Sequence, residues 1–189
     1  MSSNVHELPR VGDRSRLSDV ETLRRRAREH IDQGAVTSSY PADREQIIEL
    51  LNQALATELV CVLRYKRHYY GTHGIKAKVA ATEFLEHALE EQMHADQIAQ
   101  RIVQLGETPD LNPATLGARS HAEYDDSTDL PAMLRANLIA ERVAIESYRE
   151  MIGYIGDRDP TTTRMLKEIL AKEEEHAEDL VDLLDETAR

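Results

Sequence analysis

The stretch Glu91-Gln-Met-His94-Ala-Asp occurs a second time in the chain, as Glu173-Glu-Glu-His176-Ala-Glu. In both copies a Glu and a His are three residues apart. On a helix, side chains at this spacing project from one face and reach the same small volume. The repeat therefore predicts two helices, each of which presents a Glu-x-x-His pair towards the interior.

A second segment repeats at nearly the same offset. Glu58-Leu-Val-Cys-Val-Leu-Arg-Tyr65 matches Glu141-Arg-Val-Ala-Ile-Glu-Ser-Tyr148. The chain thus contains one helical hairpin used twice, and the similarity is highest at ionisable residues within apolar stripes. An unpaired charge at Glu58 or Glu141 would cost several kcal/mol on burial, so some group should compensate it.

Caps, breakers and apolar periodicity delimit the helices of this repeat. The four long helices expected are 41–69, 75–105, 128–155 and 160 to nearly the end of the chain. Residues 106–128 contain Pro109, Pro113 and Gly117, which are too many breakers for a helix, so they predict a long crossover. One long connection between two hairpins predicts an all-α four-helix bundle of ferritin-like topology.

Residues 1–40 are expected to form an N-terminal arm, and residues 41–189 the bundle. Ser18, as a capping residue, and Gly34, as a stop, predict a short helix over 18–33. The net charge of −12 divides into +1 on the arm and −13 on the bundle. The arm holds seven arginines: Arg10, Arg14, Arg16, Arg24, Arg25, Arg26 and Arg28.

Composition limits the function classes. A length of 189 residues fits one domain, and the excess of acidic residues argues against a general grip on nucleic acid or anionic membrane. The single cysteine, Cys61, excludes an intramolecular disulfide framework and any CxxC motif, and it fits a reducing compartment, so we expect a cytoplasmic protein. Neither a membrane span nor a signal peptide is apparent.

The two repeats together supply six candidate metal ligands: Glu58, Glu91, His94, Glu141, Glu173 and His176. One Glu-x-x-His alone would more often be part of a solvated face, but two of them, each with a matching Glu, favour a metal centre. Four carboxylates in an apolar interior repel one another. Two divalent cations balance that charge and leave both imidazoles neutral as nitrogen ligands. Oxygen and imidazole ligands without thiolate favour iron or manganese over a structural zinc site.

At these residues the chain resembles the bacterioferritin and Dps-like (mini-ferritin) branch of the ferritin-like superfamily. The match covers about residues 44–185 and rests on Asn52, Glu58, Tyr65, the 91–96 segment, Glu141 and the 173–176 segment. It implies an iron-storing, peroxide-detoxifying ferroxidase: two Fe(II) ions per subunit, with manganese as the alternative metal, bind between the helices. O2 or H2O2 oxidises the iron, and Fe(III) moves into a hollow homo-oligomeric shell.

The resemblance also implies roles for the individual residues. Glu58 and His94 would bind one metal, and Glu141 and His176 the other. Glu91 and Glu173 would bridge the two. Tyr65 would lie beside the centre, and Tyr148 is its repeat partner; alternatively, either Tyr fills the core and hydrogen-bonds through its hydroxyl group.

Three departures from the family pattern refine this expectation. Gln92 stands where bacterioferritins have a haem-ligating Met, and Met93 is one residue further, so haem is not expected. The chain ends at Arg189, soon after His176, which favours a dodecameric shell over a 24-mer. Glu86 and Glu90 replace a cavity-facing His and a cavity-facing acid of bacterioferritins.

Because all the expected ligands lie within one bundle, the chain resembles a Dps-like peroxide-resistance group. That group often has a cysteine pair near the site. Cys61 is alone here and is expected to act as a small buried hydrophobe.

Two other readings stay open. One is a di-iron or di-manganese enzyme, peroxidase-like or catalase-like, that stores no mineral. The other is a DNA-protecting Dps-type protein, for which the Arg24-Arg25-Arg26 cluster would provide the contact. The acids of arm and bundle offset those arginines, so packing of an amphipathic arm helix on a neighbouring subunit is favoured. The remaining histidines are expected at surface or core positions: His6, His30, His68, His73, His87 and His121.

Overall fold

The computed structural model describes residues 17–187, and within that range it contains helices and loops but no strand. The α-helices are α1 (Val20–Arg28), α2 (Arg44–Gly71), α3 (Lys78–Gln104), α4 (Leu116–Arg119), α5 (Leu130–Ile155) and α6 (Pro160–Thr187). Three short 3-10 turns lie at Ile31–Gln33, Ile75–Ala77 and Gly156–Arg158. Arg10, Arg14, Arg16 and His6 of the sequence analysis lie outside the described residues.

Two helical hairpins build the bundle. A short connection joins α2 to α3, another joins α5 to α6, and the helices of each hairpin pack closely on one another. The hairpins meet through α2 against α5 and α3 against α6. The expected four-helix bundle with one long crossover and a helical N-terminal arm is thus confirmed.

The predicted starts of α1, α2 and α5 were early by two or three residues, because aspartates provide their caps, whereas α6 begins at Pro160 as expected. Asp19, and not Ser18, caps α1 by accepting the N–H of Thr22 at 2.9 Å. Asp43 and Asp129 cap α2 and α5 in the same way. An Asp carboxylate that accepts an N–H of the first turn also complements the positive end of the helix dipole, which makes it a strong start signal.

The crossover is more ordered than expected, since it contains the short helix α4. Arg119 of α4 donates to the Asn52 carbonyl at 3.1 Å and to the Asp110 carbonyl at 2.9 Å. The Asn52 side chain in turn accepts the Asp110 N–H at 2.8 Å, and Thr57 accepts the His121 N–H at 2.9 Å. Polar side chains on the outer face of α2 therefore hold the crossover in place.

Within the described residues, the arm packs on the bundle core only at the arm's C-terminal end. Helix α1 has no buried residue, and His30 after it adopts a positive φ of 51°. Val36 is buried and Tyr40 packs beside it on the core. These two apolar side chains, which the sequence analysis placed in the arm, anchor its C-terminal end to the bundle.

The apolar core has two parts, separated by a layer of ionisable side chains. One part surrounds Leu51, Ile98 and Leu166, and the other surrounds Phe84 and Leu134. Along each long helix the candidate ligands lie between the residues of the two parts. The apolar layers above and below keep water away from the centre of the bundle.

Helix α2 is long and apolar enough, by length and composition, to cross a membrane. However, 56% of its most apolar window is buried inside the bundle. This helix also carries Glu58 and Arg64, both buried against the other helices. Its hydrophobicity is therefore explained by its central place in the core.

Asp159 joins three elements at one end of the bundle. It is 2% exposed and caps α6 through the Thr162 N–H at 3.0 Å. Both of its oxygens accept from Arg101 of α3 at 3.0 Å, and one accepts the Tyr40 hydroxyl at 2.6 Å. Removing one member of such a buried pair leaves the other charge uncompensated.

We therefore expect Asp159→Ala to lower the free energy of unfolding at pH 7 by about 3–5 kcal/mol. Burial works to raise the pKa of Asp159, but the hydrogen bonds from Thr162, Tyr40 and Arg101 prevail and hold it below its usual value. The stabilisation is thus present above the unfolded pKa of about 3.9 and is lost as pH falls through the folded pKa. Urea unfolding of parent and variant at several pH values measures this.

Asp157→Ala serves as the control, because Asp157 is an exposed aspartate in the same connection. We expect it to change stability by less than about 0.5 kcal/mol. Equal stability of Asp159→Ala and Asp157→Ala at pH 7 would contradict the role given to Asp159.

Candidate metal centre

Each long helix contributes to a cluster at the middle of the bundle. Helix α2 supplies Glu58, α3 supplies Glu91 and His94, α5 supplies Glu141, and α6 supplies Glu173 and His176. All six side chains are at most 5% exposed. Carboxylates are rarely buried so completely unless they are paired or coordinate a metal.

The six side chains form two overlapping groups whose donor atoms lie within 4.8 Å of one another. The groups are Glu58, Glu91, His94 and Glu173, and Glu91, Glu141, Glu173 and His176. Glu91 and Glu173 belong to both. This is the arrangement expected of two neighbouring metal positions bridged by these two carboxylates.

The histidine nitrogens face the shared carboxylates. His94 Nδ1 lies 2.9 Å from Glu173 Oε1 and 3.4 Å from Glu58 Oε2. On the other side, His176 Nδ1 lies 3.3 Å from Glu91 Oε1. None of these contacts has the alignment of a hydrogen bond, so proximity alone does not satisfy the atoms.

The fit of this cluster to metal ions rests on its unpaired atoms. Among the described residues, eight buried side-chain atoms have no hydrogen-bond partner, and seven of them belong to the six candidate ligands. They are Glu58 Oε2, Glu91 Oε1, His94 Nδ1, Glu141 Oε2, Glu173 Oε1 and Oε2, and His176 Nδ1. Buried polar atoms are normally paired. Carboxylate oxygen and imidazole nitrogen together form a donor set that suits Fe(II) or Mn(II).

Burial and mutual repulsion raise the pKa values of three carboxyl groups in this cluster. Burial raises the pKa of Glu58 and of Glu173 well above the usual range, and the charge of Glu91 adds to it. Burial and Glu91 also raise the pKa of Glu141. The raised pKa values favour the uncharged form of these carboxyl groups, and a bound cation would favour the charged form.

The pKa of Glu91 shifts in the opposite direction, whereas the pKa values of the two histidines are raised. Burial works to raise the pKa of Glu91, but close polar contacts with Glu58, His176 and His94 hold it well below its usual value. Burial opposes the protonation of His176, yet contact with Glu91 raises its pKa to about 9, and the surrounding carboxylates raise the pKa of His94 further. Contact with the carboxyl groups thus favours the charged form of both imidazoles.

Two tyrosines fix the outer oxygens of the terminal carboxylates. Tyr65 of α2 donates to Glu141 Oε1 on α5, and Tyr148 of α5 donates to Glu58 Oε1 on α2. The other oxygen of each carboxylate, Oε2, stays unpaired and faces the cluster. The reciprocal bonds follow the internal repeat, and they orient each Glu as a ligand.

Glu90 has a role that sequence reasoning missed. Its Oε2 lies 2.6 Å from His176 Nε2, so that nitrogen donates outward and Nδ1 faces the cluster. The sequence identifies Glu90 only as the residue at a position where the family has a cavity-facing acid. Its position next to Glu91 in the chain gave no sign of a contact with α6. Glu86, by contrast, is exposed.

Arg64 is a second residue that the sequence did not single out. It is completely buried and donates to Asn137 Oδ1 at 2.8 Å, to the Glu123 carbonyl at 3.1 Å and to Cys61 Sγ at 3.4 Å. Burial opposes its charge, but Cys61 and Glu141 raise its pKa above the usual value. Cys61 is buried as expected, and burial raises its thiol pKa. Arg64 therefore links α2, α5 and the crossover.

Comparison with known proteins identifies relatives that belong to one family. Residues 48–189 match the family described as ferritin-like domain. The DNA protection during starvation protein of Pyrococcus furiosus is 33% identical over 141 residues, which cover 71% of this chain and 74% of that protein. A bacterioferritin from Brucella melitensis is 31% identical over 150 residues, covering 76% of this chain and 86% of its own.

Among solved structures, a dodecameric thioferritin, described as the bacterioferritin-related protein from Bacteroides fragilis, superposes with a TM-score of 0.76. It shares 36% sequence identity, and the alignment covers 79% of this chain and 90% of that one. The resemblance read from the motifs is therefore confirmed. The residues matched by the family include all six side chains of the central cluster.

Proposed function

Because the chain belongs to the ferritin-like domain family, we propose that it oxidises Fe(II) at an intra-subunit dinuclear centre and stores the product. Glu58 and His94 bind one ion, and Glu141 and His176 bind the other, while Glu91 and Glu173 bridge them. The observation that carries this proposal is the set of seven unpaired, buried donor atoms on these six side chains.

Two Fe(II) ions supply two electrons. One H2O2 accepts them, with two protons, to give two molecules of water, whereas O2 would give H2O2. The protein holds both ions in one place, so that a two-electron oxidant meets both reductants at once. The apolar layers around the centre exclude bulk water, and Tyr65 and Tyr148 keep the carboxylates oriented for the ions.

Aerobic addition of Fe(II) to the purified protein tests the proposal, with O2 and H2O2 compared as oxidants. We expect oxidation faster than in buffer, followed by soluble Fe(III) that stays with the protein. Oxidation at the buffer rate would refute the ferroxidase proposal. Fast oxidation with precipitation of the iron would favour the non-storing enzyme.

We propose a dodecameric shell as the assembly, in line with the bacterioferritin-related protein of Bacteroides fragilis. Large apolar side chains on the outside of the bundle support assembly, because a lone bundle would leave them in water. More than half of each of the following is exposed: Leu63, Leu89, Met93, Val103 and Ile139. A mass measurement in solution separates twelve copies from 24 or from two.

For the arm we propose packing on a neighbouring subunit. Helix α1 has no buried residue, and Val20 and Leu23 on it are more than half exposed. DNA binding is the second candidate role of the arm, because a relative is named for DNA protection. Arg24, Arg25 and Arg26 would contact the DNA. Binding to duplex DNA that falls steeply with salt would favour that candidate. The single buried Cys61 supports a cytoplasmic location.

The tyrosine pair leads to a prediction about affinity. We expect Tyr65→Phe and Tyr148→Phe each to weaken metal binding by about 10–100-fold, because each frees one carboxylate to rotate. Mn(II) titration measures the change without oxidation. Tyr154→Phe is the control, since Tyr154 is exposed and lies beyond the repeated segment of α5. A loss at Tyr65 with none at Tyr148 would contradict the reciprocal arrangement.

A further inference from the structure

A second cluster of ligand-type side chains lies beside the central one and shares no residue with it. Glu83 and His87 are one turn apart on α3, and Asp179 faces them from α6. His87 is 2% exposed, whereas the side chains of Glu83 and Asp179 are 30% and 47% exposed. The cluster thus has a buried nitrogen and a rim of two carboxylates open to solvent.

Hydrogen bonding fixes which nitrogen of His87 carries its proton. Tyr65 uses its only hydroxyl hydrogen to donate to Glu141. His87 Nδ1 lies 3.1 Å from the Tyr65 oxygen, so the hydrogen between them belongs to Nδ1. In the neutral ring, Nε2 is then left with a lone pair. This lone pair points to the side of the ring where Glu83 and Asp179 lie.

Three electron-pair donors therefore face one another. His87 Nε2 lies 3.8 Å from Glu83 Oε2 and 3.6 Å from Asp179 Oδ2. None of the described residues donates a hydrogen bond to His87 Nε2. Among the buried side-chain nitrogen and oxygen atoms of the described residues, it is the one outside the central cluster that lacks a partner. A buried nitrogen between two carboxylates without a donor is unfavourable unless a cation compensates it.

The separations suit one ion. Two ligands of the same ion, each about 2.1 Å from it, are at most roughly 4.2 Å apart. Both nitrogen–oxygen distances fall below this limit. One imidazole nitrogen with two carboxylate oxygens suits transition metals such as Zn(II), Fe(II) or Mn(II) better than Ca(II) or Mg(II), which prefer oxygen alone.

We propose that Glu83, His87 and Asp179 bind a single divalent transition-metal cation, as a third site distinct from the dinuclear centre. Three protein ligands leave coordination positions for water on the exposed side, as in zinc sites that have three protein ligands and one bound water. The third site is adjacent to the centre, because the His87 ring stacks on His176 with the ring centroids 4.0 Å apart. Its existence does not depend on whether the centre oxidises iron.

Zn(II) binding to the full-length protein tests the third site. After equilibrium dialysis and metal analysis we expect three Zn(II) per chain for the parent and two for His87→Gln or Asp179→Asn. Asp182→Asn removes the same charge from an exposed position one turn along α6 and should keep three. Glu91→Ala/Glu173→Ala should keep one, which separates this site from the dinuclear centre.

An anomalous difference map from Zn(II)-soaked crystals locates the ion. A peak within about 2.5 Å of His87 Nε2, absent in Asp179→Asn, is the expected result. Because Asp179 lies at the exposed rim, this variant should fold even if His87→Gln does not. An equal number of Zn(II) per chain in the parent and in Asp179→Asn, or no Zn(II) in Glu91→Ala/Glu173→Ala, would overturn the proposal. Slow iron oxidation by a parent that binds three Zn(II) would count only against the ferroxidase.

Discussion

Replacement of both Glu91 and His176 by alanine is expected to lower the rate of Fe(II) oxidation by at least about 100-fold, down to the rate in buffer. Glu91 contributes donor atoms to both groups of the centre, and His176 supplies the nitrogen of one of them. The variant therefore loses a bridge and a terminal ligand together. Stopped-flow absorbance of Fe(III), with O2 and H2O2 in separate series, measures the rate.

A matched control changes the same residue types at exposed positions. His73→Ala/Glu178→Ala removes one imidazole and one carboxylate from the surface, and it should oxidise Fe(II) like the parent. Circular dichroism establishes that both variants keep their helices. If the Glu91/His176 variant is folded and oxidises iron as fast as the control, the assignment of these ligands is wrong.

Metal loading should strongly stabilise the protein. A ligand that binds only the folded state, at about 1,000 times its Kd, adds about 4 kcal/mol to the free energy of unfolding. For a domain of roughly 150–250 residues each kcal/mol raises Tm by roughly 2–4 °C, so we expect an increase of about 8–16 °C. We expect this stabilisation because cations replace protons on crowded, buried carboxyl groups. Scanning calorimetry with and without Mn(II), which stays divalent, measures it.

The variant Glu91→Ala/His176→Ala separates binding at the centre from binding at the acidic surface. Its Tm should rise much less on addition of Mn(II), because the centre has lost a bridging and a terminal ligand and only the third site remains intact. The readout is the shift on metal addition in each protein, and not the Tm of the metal-free forms. Equal shifts in parent and variant would mean that Mn(II) acts elsewhere.

The sequence predicted which ionisable side chains meet at the middle of the bundle, because that signal is local and repeated. Spacing of three residues places Glu91 with His94 on one helix face, and the same holds for Glu173 with His176. The repeat then required both hairpins to carry the same chemistry. The structure brings all six predicted side chains together, with no predicted ligand left outside.

Contacts between distant parts of the chain were not predictable in this way. Glu90 meets His176, and Arg64 meets Asn137, only after the hairpins pack. Short helix α4 was missed because Arg119, which holds it on α2, compensates for the breakers around it. Leu89 and Ile139 are more than half exposed, and apolar periodicity alone does not distinguish such positions from core positions.

We propose that six side chains of one chain hold two iron ions. An iron-edge anomalous difference map from crystals soaked anaerobically in Fe(II) tests this assignment. Two peaks about 3.5–4 Å apart are expected between Glu91 and Glu173, one beside His94 and one beside His176. A map without peaks at these side chains, from crystals that bind iron elsewhere, would contradict it.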